Sequence, residues 1–450
     1  MAIAIVVILL VIGSLIFHFA SPWWFTPIAS NWGMIDTTVN ITFWVTGIVF
    51  VLVNLFLAYC VIKYRHKQGL KANYEPENKK LEVWLTGITA VGVAAMLAPG
   101  LIVWAKFVQV PEDAMIVEAI AQQWNWAFRF PGEDGELGEV DHKLINVDNP
   151  FGMSPEDPNG QDDVLVFEQQ VHLPINQPVK LLLRSKDVLH NFAVPQFRVK
   201  MDIVPGMVSY QWFEPTRTGR FEIMCEELCG IGHHVMRGSV VVDEQKGFDS
   251  WLASQPTYAE RVTSASNDTG AGRTSYAACS ACHGANGEGN QTLNAPKLTG
   301  LDATYLKRQL VNYKLGVRGA NPDDTLGAQM RGMANTLPTD AAIDNVVAYI
   351  TSLPDTPAAT TILGDVERGK ETYETCKVCH GGKGEGIWSR NAPRQAGMND
   401  WYLAAQLINF KAGIRGTHEQ DSFGRQMGQM AQMLSSEQEI NDLIAYINTL

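Results

Sequence analysis

The chain has no cysteine to spare for stapling. Of its seven cysteines, four sit in two CxxCH motifs, two lie four residues apart in one short loop, and Cys60 falls alone in an apolar run. No pair remains for a structural disulfide, so cysteine usage here is that of cofactor chemistry. Cys60 reads as a small buried hydrophobe. Positive charge is also short: the net charge is −12 over 450 residues. That excludes nucleic acid as a natural partner and leaves room for a basic protein. No Lys or Arg precedes the apolar run at 2–20, and none occurs in residues 21–40. The missing leading charge favours a retained N-terminal helix over a cleaved signal segment. At this length two to four domains are expected.

What is present begins with hydrophobic length. Residues 2–20 (AIAIVVILLVIGSLIFHFA) suffice to cross a bilayer at about 1.5 Å per residue. Two further spans are expected near 41–62 and 83–107, as a transmembrane hairpin over 35–110. Their connection carries Lys63, Arg65, Lys67, Lys71, Lys79 and Lys80. The excess of cations puts this loop in the cytoplasm and everything after residue 107 outside. Trp23, Trp24 and Trp32 suit an aromatic belt at the outer interface.

From residue 114 short apolar runs are punctuated by Pro, Gly and Asn, which argues an antiparallel sandwich or barrel. Residues 131–163 read as an insertion in it, with ten acids (Glu133, Asp134, Glu136, Glu139, Asp141, Asp148, Glu156, Asp157, Asp162, Asp163) against Lys143. Such a run is usually a solvated face; a docking surface for a basic cytochrome is the sharper reading. DPNGQDD within it alternates oxygen donors but lacks the glycine placement of a calcium loop.

The densest chemistry is CEELCGIGHHVM at 225–236. Cys225, Cys229, His233 and Met236 offer thiolate, imidazole and thioether, the soft set that copper prefers. Two thiolates on one loop can bridge a pair of copper ions. The alternatives are a disulfide and a structural zinc site. A disulfide leaves the His and Met spacing unexplained, and zinc rarely recruits methionine.

This loop resembles the C-x-E-x-C-G-x-x-x-H-x-x-M pattern of subunit II of the haem–copper oxidases, with every fixed position present. DVLHNFAVPQFRVKMDIVPG at 187–206 resembles a second signature of that family and puts His190 in its ligand position. The resemblance implies a cupredoxin-like β-barrel over 111–252. It also implies a dinuclear copper A centre held by His190, Cys225, Cys229, His233, Met236 and the backbone carbonyl of Glu227. The Glu227 side chain would face a magnesium ion shared with subunit I. His234 matches no ligand position and reads as a surface histidine. QWNWAF at 123–128 resembles the family's aromatic segment, with Trp124 in the electron-input position; core packing is the alternative. Glu82, in LEVWLTG, partly resembles an acidic residue near the mouth of a proton path into subunit I. Its Trp follows at +2 where the family has +3, and a carboxylate placed favourably at a helix N-terminus is the alternative.

After a small, polar linker at 253–272 comes an internal repeat. CSACH at 279–283 and CKVCH at 376–380 lie 97 residues apart, and the same offset relates Pro296 to Pro393, Tyr305 to Tyr402, Arg318 to Arg415 and Met330 to Met427. A constant register means a duplicated domain, here 273–355 and 362–450. CxxCH attaches haem c through both thiols, and the histidine ligates iron. Cys279, Cys282 and His283 would hold one haem, and Cys376, Cys379 and His380 the other. The tail resembles the dihaem cytochromes c, whose axial Met lies seven residues before a Leu. Leu337 and Leu434 fit that Leu, which selects Met330 and Met427; the neighbouring methionines read as core filler. Each domain should be all-α, with YLKRQLVNYKLG and YLAAQLINFKAG as amphipathic helices.

The fold class is therefore multi-domain: transmembrane helices, a cupredoxin-like all-β barrel, then two all-α cytochrome c domains. Oxidases with cytochrome c fused to subunit II are similar throughout. That resemblance implies electron flow from two haem c groups to copper A and on to haem a in subunit I. Subunit I would also hold copper B, reduce oxygen to water and pump protons. Subunit III would complete the assembly, and a cytochrome or a quinol–cytochrome c reductase would be the donor. The setting would be a bacterial inner membrane, with copper and haem domains on the periplasmic side. The rival readings are the copper A subunit of a nitric oxide reductase and a stand-alone membrane-anchored electron carrier. Nitrous oxide reductase is disfavoured, because it needs a separate catalytic copper domain and has no such hairpin.

Overall fold

The computed structural model describes residues 2–21, 25–69, 71, 76–146, 149–262 and 268–450. Met1, Trp23, Trp24, Asp148 and parts of the basic loop and the linker lie outside the described residues. Three apolar helices come first: α1 (Ala2–Ala20), α2 (Gly33–Lys63) and α3 (Lys79–Val108). All three are long and apolar enough to cross a membrane, and they leave most of their apolar side chains bare.

The hairpin ends are pinned to the β domain. Trp32 donates its indole N–H to Trp212 O at 3.0 Å and packs between Trp212 and Phe107. Arg198 forks onto Asp36 at 2.6 and 2.9 Å. Trp32 is thus buried in a protein joint, where the sequence suggested a lipid-facing belt. The carbonyl that its indole reaches is 180 residues away in sequence and invisible to local patterning.

Among the described residues the β domain has ten strands: β1 (Met115–Gln122), β2 (Asn125–Phe130), β3 (Val164–Val166), β4 (Gln170–Pro174), β5 (Val179–Ser185), β6 (His190–Val194), β7 (Val199–Ile203), β8 (Ser209–Phe213), β9 (Gly219–Met224) and β10 (Arg237–Asp243). They form two five-stranded sheets, β3-β2-β1-β5-β8 and β4-β10-β9-β6-β7. The expected antiparallel pairing needs correction at two places, because β1 pairs with β5 and β4 with β10 in parallel. Alternation places Val179, Leu181 and Leu183 of β5 inward. β1 and β2 are buried on both faces, since Phe151 and Met153 of the 131–163 excursion fold over their outer side.

That excursion is less of a solvated face than its composition suggested. Asp163 is fully buried and pairs with Arg129 at 2.8 Å, and Arg129 also binds Glu118 at 2.7 Å. Asp162 and Asp157 accept backbone N–H bonds from Glu133 and Glu139 at 2.7 and 2.6 Å. These carboxylates tie the two ends of the excursion together, 29 and 18 residues apart in sequence.

Beyond the β domain lie α4 (Gln245–Leu252) and α5 (Tyr258–Val262). The first half of the expected linker is a strap on the sheet: Tyr258 N–H donates to Asp163 O at 2.8 Å, and its ring is buried. The helical tail follows as α6 (Thr269–His283), α7 (Ala303–Leu315), α8 (Thr325–Ala334) and α9 (Asp340–Ser352), then α10 (Val366–His380), α11 (Asp400–Lys411), α12 (Ser422–Ala431) and α13 (Glu437–Ile447). Caps repeat with the sequence: Asp268 and Asp365 open the first helix of each set, Asp324 and Asp421 the third, Thr339 and Ser436 the last. Each accepts an N–H that the helix start would leave unpaired. Each set closes its own core, around Tyr276, Ile343 and Ile350 in one and Tyr373, Ile440 and Ile447 in the other.

Candidate copper and haem sites

The loop between β9 and β10 is closed at its neck by the Met224–Arg237 register and by Cys225 N–H donating to Met236 O at 3.2 Å. This closure turns sequence spacing into a cluster. Cys225 Sγ lies 3.6 Å from Cys229 Sγ, 3.9 Å from His190 Nδ1 and 3.2 Å from Glu227 O. Cys229 Sγ lies 3.5 Å from His233 Nδ1 and 3.8 Å from Met236 Sδ. His190, Cys225, Cys229 and Met236 are buried, whereas His234 is exposed. A disulfide would need sulfurs about 2.05 Å apart, so the two thiols are free. Zinc takes four ligands in a structural site. Here six donors divide evenly, each sulfur having one imidazole and one weak donor of its own, which fits two ions sharing two thiolates.

His190 is oriented by a residue that the motif reading passed over. Its Nε2–H donates to Asp187 Oδ1 at 2.8 Å, and Asp187 also accepts the backbone N–H of Gln123 at 2.7 Å and of Val188 at 2.8 Å. Such an outer partner fixes the tautomer and aims the other nitrogen at the metal. Burial opposes charge on both groups, but the hydrogen bonds prevail: Asp187 is held below, and His190 above, its ordinary pKa. The hydrogen bond from Cys229, against the cost of burial, keeps Cys225 far below the usual thiol range and leaves Cys229 above it.

Trp124 lies against this loop, donating its indole N–H to Cys229 O at 3.1 Å. A Cβ on Gly232 would come within 2.3 Å of the indole, so only glycine permits the approach.

In the tail, α6 and α10 end on His283 and His380. Their Nδ1–H groups donate to Pro296 O and Pro393 O at 2.7 and 2.8 Å, leaving Nε2 as the nitrogen that could bind an iron. Burial pushes both imidazoles down and keeps them neutral, as ligation requires. One continuous cavity of about 640 Å³ takes in both CxxCH sites, Met330, Met427 and, at one end, Trp124. Across the join between the domains, Arg318 donates to Tyr402 and Gln406 at 2.8 and 3.1 Å, and Arg415 to Tyr305 and Gln309 at 3.4 and 3.1 Å. Both arginines line the cavity and leave a buried Nε–H without an acceptor. A haem carries propionates that would meet these donors, so the residues fit the group. The offset of 97 had singled out these Arg and Tyr pairs, but only as register marks.

The second haem domain is seated on the β domain at the copper loop. Gln426 donates to Trp124 O at 2.6 Å and meets Gln169 at 2.9 Å. Asn391 donates to Phe167 O at 2.8 Å, and the Trp388 ring meets Phe167 at 5.0 Å. Arg390 binds Val378 O and reaches Asp187 at 3.8 Å. Glu82 stands apart from all of this, exposed in the first turn of α3, while the far end of α3 meets the β domain through Val108 and Tyr210.

A family model described as cytochrome c oxidase subunit II, periplasmic domain, matches residues 115–244, and one described as cytochrome c matches 270–354 and 366–450. The alternative cytochrome c oxidase subunit 2 of Bradyrhizobium diazoefficiens is 58% identical over 259 residues, covering 58% of this chain and 94% of that protein. Cytochrome c oxidase subunit 2 of Cereibacter sphaeroides is 28% identical over 240 residues, covering 50% of this chain and 77% of the relative. The structure of cytochrome c4 from Pseudomonas stutzeri aligns at 28% identity over 41% of this chain and 100% of its own, with a TM-score of 0.34. Apolar N-terminal helices, a periplasmic β domain with a His, Cys and Met cluster consistent with copper A, and two cytochrome c domains thus form one chain. It belongs to the cytochrome c oxidase subunit 2 family, as the part of a haem–copper oxidase complex that transfers electrons to the oxidase.

Proposed function

We propose that this subunit passes electrons from an external donor through two haem c groups to dinuclear copper A and on to haem a in subunit I, where oxygen is reduced to water with proton pumping. The observation that supports this most strongly is the seating of the second haem domain on the copper loop, with Gln426 on Trp124 and Arg390 toward Asp187. Tethering alone would raise the local concentration of donor domain; a built contact adds orientation.

Within the chain each residue has a distinct task. Cys225 and Cys229 would bridge the copper pair, with His190 and His233 as its imidazole ligands and Met236 and the Glu227 carbonyl as the weak ones. Bound there, the pair would take up and release one electron at a time with little movement of its ligands. Asp187 holds the His190 ring, and the burial of both thiols excludes water. Arg390 ties the second CxxCH turn to the ligand-bearing side of the β domain. Met330 and Met427 are the proposed axial ligands opposite His283 and His380. The Glu227 side chain would meet a magnesium ion shared with subunit I, and Glu82 would stand at the mouth of a proton path. The β and haem domains would face the periplasm of a bacterial inner membrane, with subunit III and a cytochrome or quinol–cytochrome c reductase as further partners.

Metal and haem analysis of the purified complex tests this. Two haem c and two copper ions per chain, haem a elsewhere, a near-infrared copper band and oxygen consumption are expected. Zinc in the pocket, or no such band, would overturn the reading.

A further inference from the structure

The offset of 97 residues lets every surface of one haem domain be located on the other. In the second domain the face around Cys379 is covered. Ser389 is 0% exposed, Trp388 and Arg390 are half-buried, and Val378 and Met430 pack against the β-domain core. The matching positions of the first domain are open: Ala281 and Thr292, and, along the rim of the haem cavity, Cys282, Gln329, Leu293 at 49% and Met333 at 37% exposure. A face laid out on the same plan therefore exposes its thioether cysteine and carries an apolar rim that no part of the chain covers among the described residues.

Its chemistry differs from its twin in one respect. Where the second domain has Trp388 and Arg390, the first has Gln291 and Leu293, and neither NQTLNA at 290–295 nor ACSAC at 278–282 holds a charge. We propose that this face of the first domain is the docking site of the external donor, a one-electron carrier protein with an uncharged, apolar rim around its own redox centre. Electrons then run from the first domain to the second and on to the β domain. In the docking step the donor loses one electron and the first-domain iron gains it; no bond is made or broken and no proton moves. An uncharged rim cannot steer its partner from a distance, so association should proceed at roughly 10⁵–10⁶ M⁻¹s⁻¹ with little response to salt. The acidic excursion is a poorer candidate, because Asp157, Asp162 and Asp163 already serve its own backbone and Arg129.

The inference rests on the function proposed above, and the experiment separates the two. In the intact complex, haem c reduction is followed by stopped flow with two probes: a reduced blue-copper protein with an apolar rim and a lysine-rimmed mono-haem cytochrome c. With the first probe the rate should change less than about twofold between low and 0.3 M salt. It should fall about tenfold or more in Thr292→Asp, a position outside the haem cavity whose match Ser389 is fully buried in its own joint, since a charge buried unpaired in an interface must give up its water, and less in Thr292→Asn. Reduction by dithionite, the haem-to-copper step and haem content per chain should stay as in the wild type, and Glu133→Lys should have no effect. A wild-type rate in both Thr292 variants would overturn the proposal. So would preference for the lysine-rimmed probe with a steep salt dependence and loss in Glu133→Lys, which would put the donor on the excursion. If photoreduced haems fail to reduce copper in the wild type, the proposed function itself falls.

Discussion

The proposed copper ligands and the proposed haem ligands are prepared in opposite ways. Neighbouring donors of the copper set lie 3.2 to 3.9 Å apart and hydrogen-bond among themselves. The haem ligands are held apart around a large common cavity, with two buried arginine N–H groups unanswered. A small ion enters a site whose ligands already converge. A haem instead supplies part of the core, so its domain depends on it for stability. The β domain should therefore tolerate loss of its metal, and each tail domain should not tolerate loss of its haem.

The sharpest way to break this contrast is to remove one ligand set at a time. Cys376→Ser with Cys379→Ser should leave the second domain protease-sensitive and slow copper reduction by about 100-fold or more, as the oriented tether is lost. Cys225→Ser should abolish the near-infrared band yet leave the β-sheet circular dichroism intact. An intact second domain in the first variant, or an unfolded β domain in the other, would reverse the comparison.

Smaller effects test how the copper ligands are kept in place. Asp187→Ala should weaken copper retention about 10- to 100-fold in chelator competition, because His190 loses the partner that aims it. Arg390→Ala should slow the flash-induced haem-to-copper step about tenfold through imperfect orientation of the two centres. Arg390→Lys should recover only part, since a lysine cannot fork between Val378 O and Asp187.

The smallest effect is one of pH. Burial, outweighing Arg129, pushes Asp163 up to about 6. A carboxyl with a raised pKa in the folded state gives stability that is complete below the ordinary value and lost as pH rises through 6. The copper-loaded β domain should therefore melt higher at pH 5 than at pH 7.5, by on the order of 2–4 °C. Asp163→Asn should flatten that slope. Asp187 and Asp400 are held down and contribute with the opposite sign, but only below the ordinary carboxylate range, outside this window.

Much of this was legible because it is local. Cys225, Cys229, His233 and Met236 share one loop, and each CxxCH carries its own chemistry in five residues. The parallel pairings were hidden because β1 and β5, or β4 and β10, are separated by other strands and leave no turn signal between them. Asp163 was read with its acidic neighbours because Arg129, which pairs with it, lies across the sheet. Docking of the second haem domain was written partly where the repeat disagrees with itself, Trp388 and Arg390 against Gln291 and Leu293, and partly in Gln426 and Asn391, which the repeat shares with Gln329 and Asn294. A register search looks for agreement, so it passes over such a place. Asp187 stood three residues before His190 in a quoted signature, yet its task depends on a ring orientation that only the fold supplies.

Trp124 holds the second haem domain by its main chain, through the Gln426 bond to its carbonyl, while its ring nitrogen shares Cys229 O with the Gln123 amide. That bond across the seam is thus indifferent to which side chain stands at that position. Trp124→Phe would keep the joint shut while cutting the indole's link to the copper loop. Mechanical grip and the proposed electron entry, usually lost together at a contact, can here be taken apart one atom at a time.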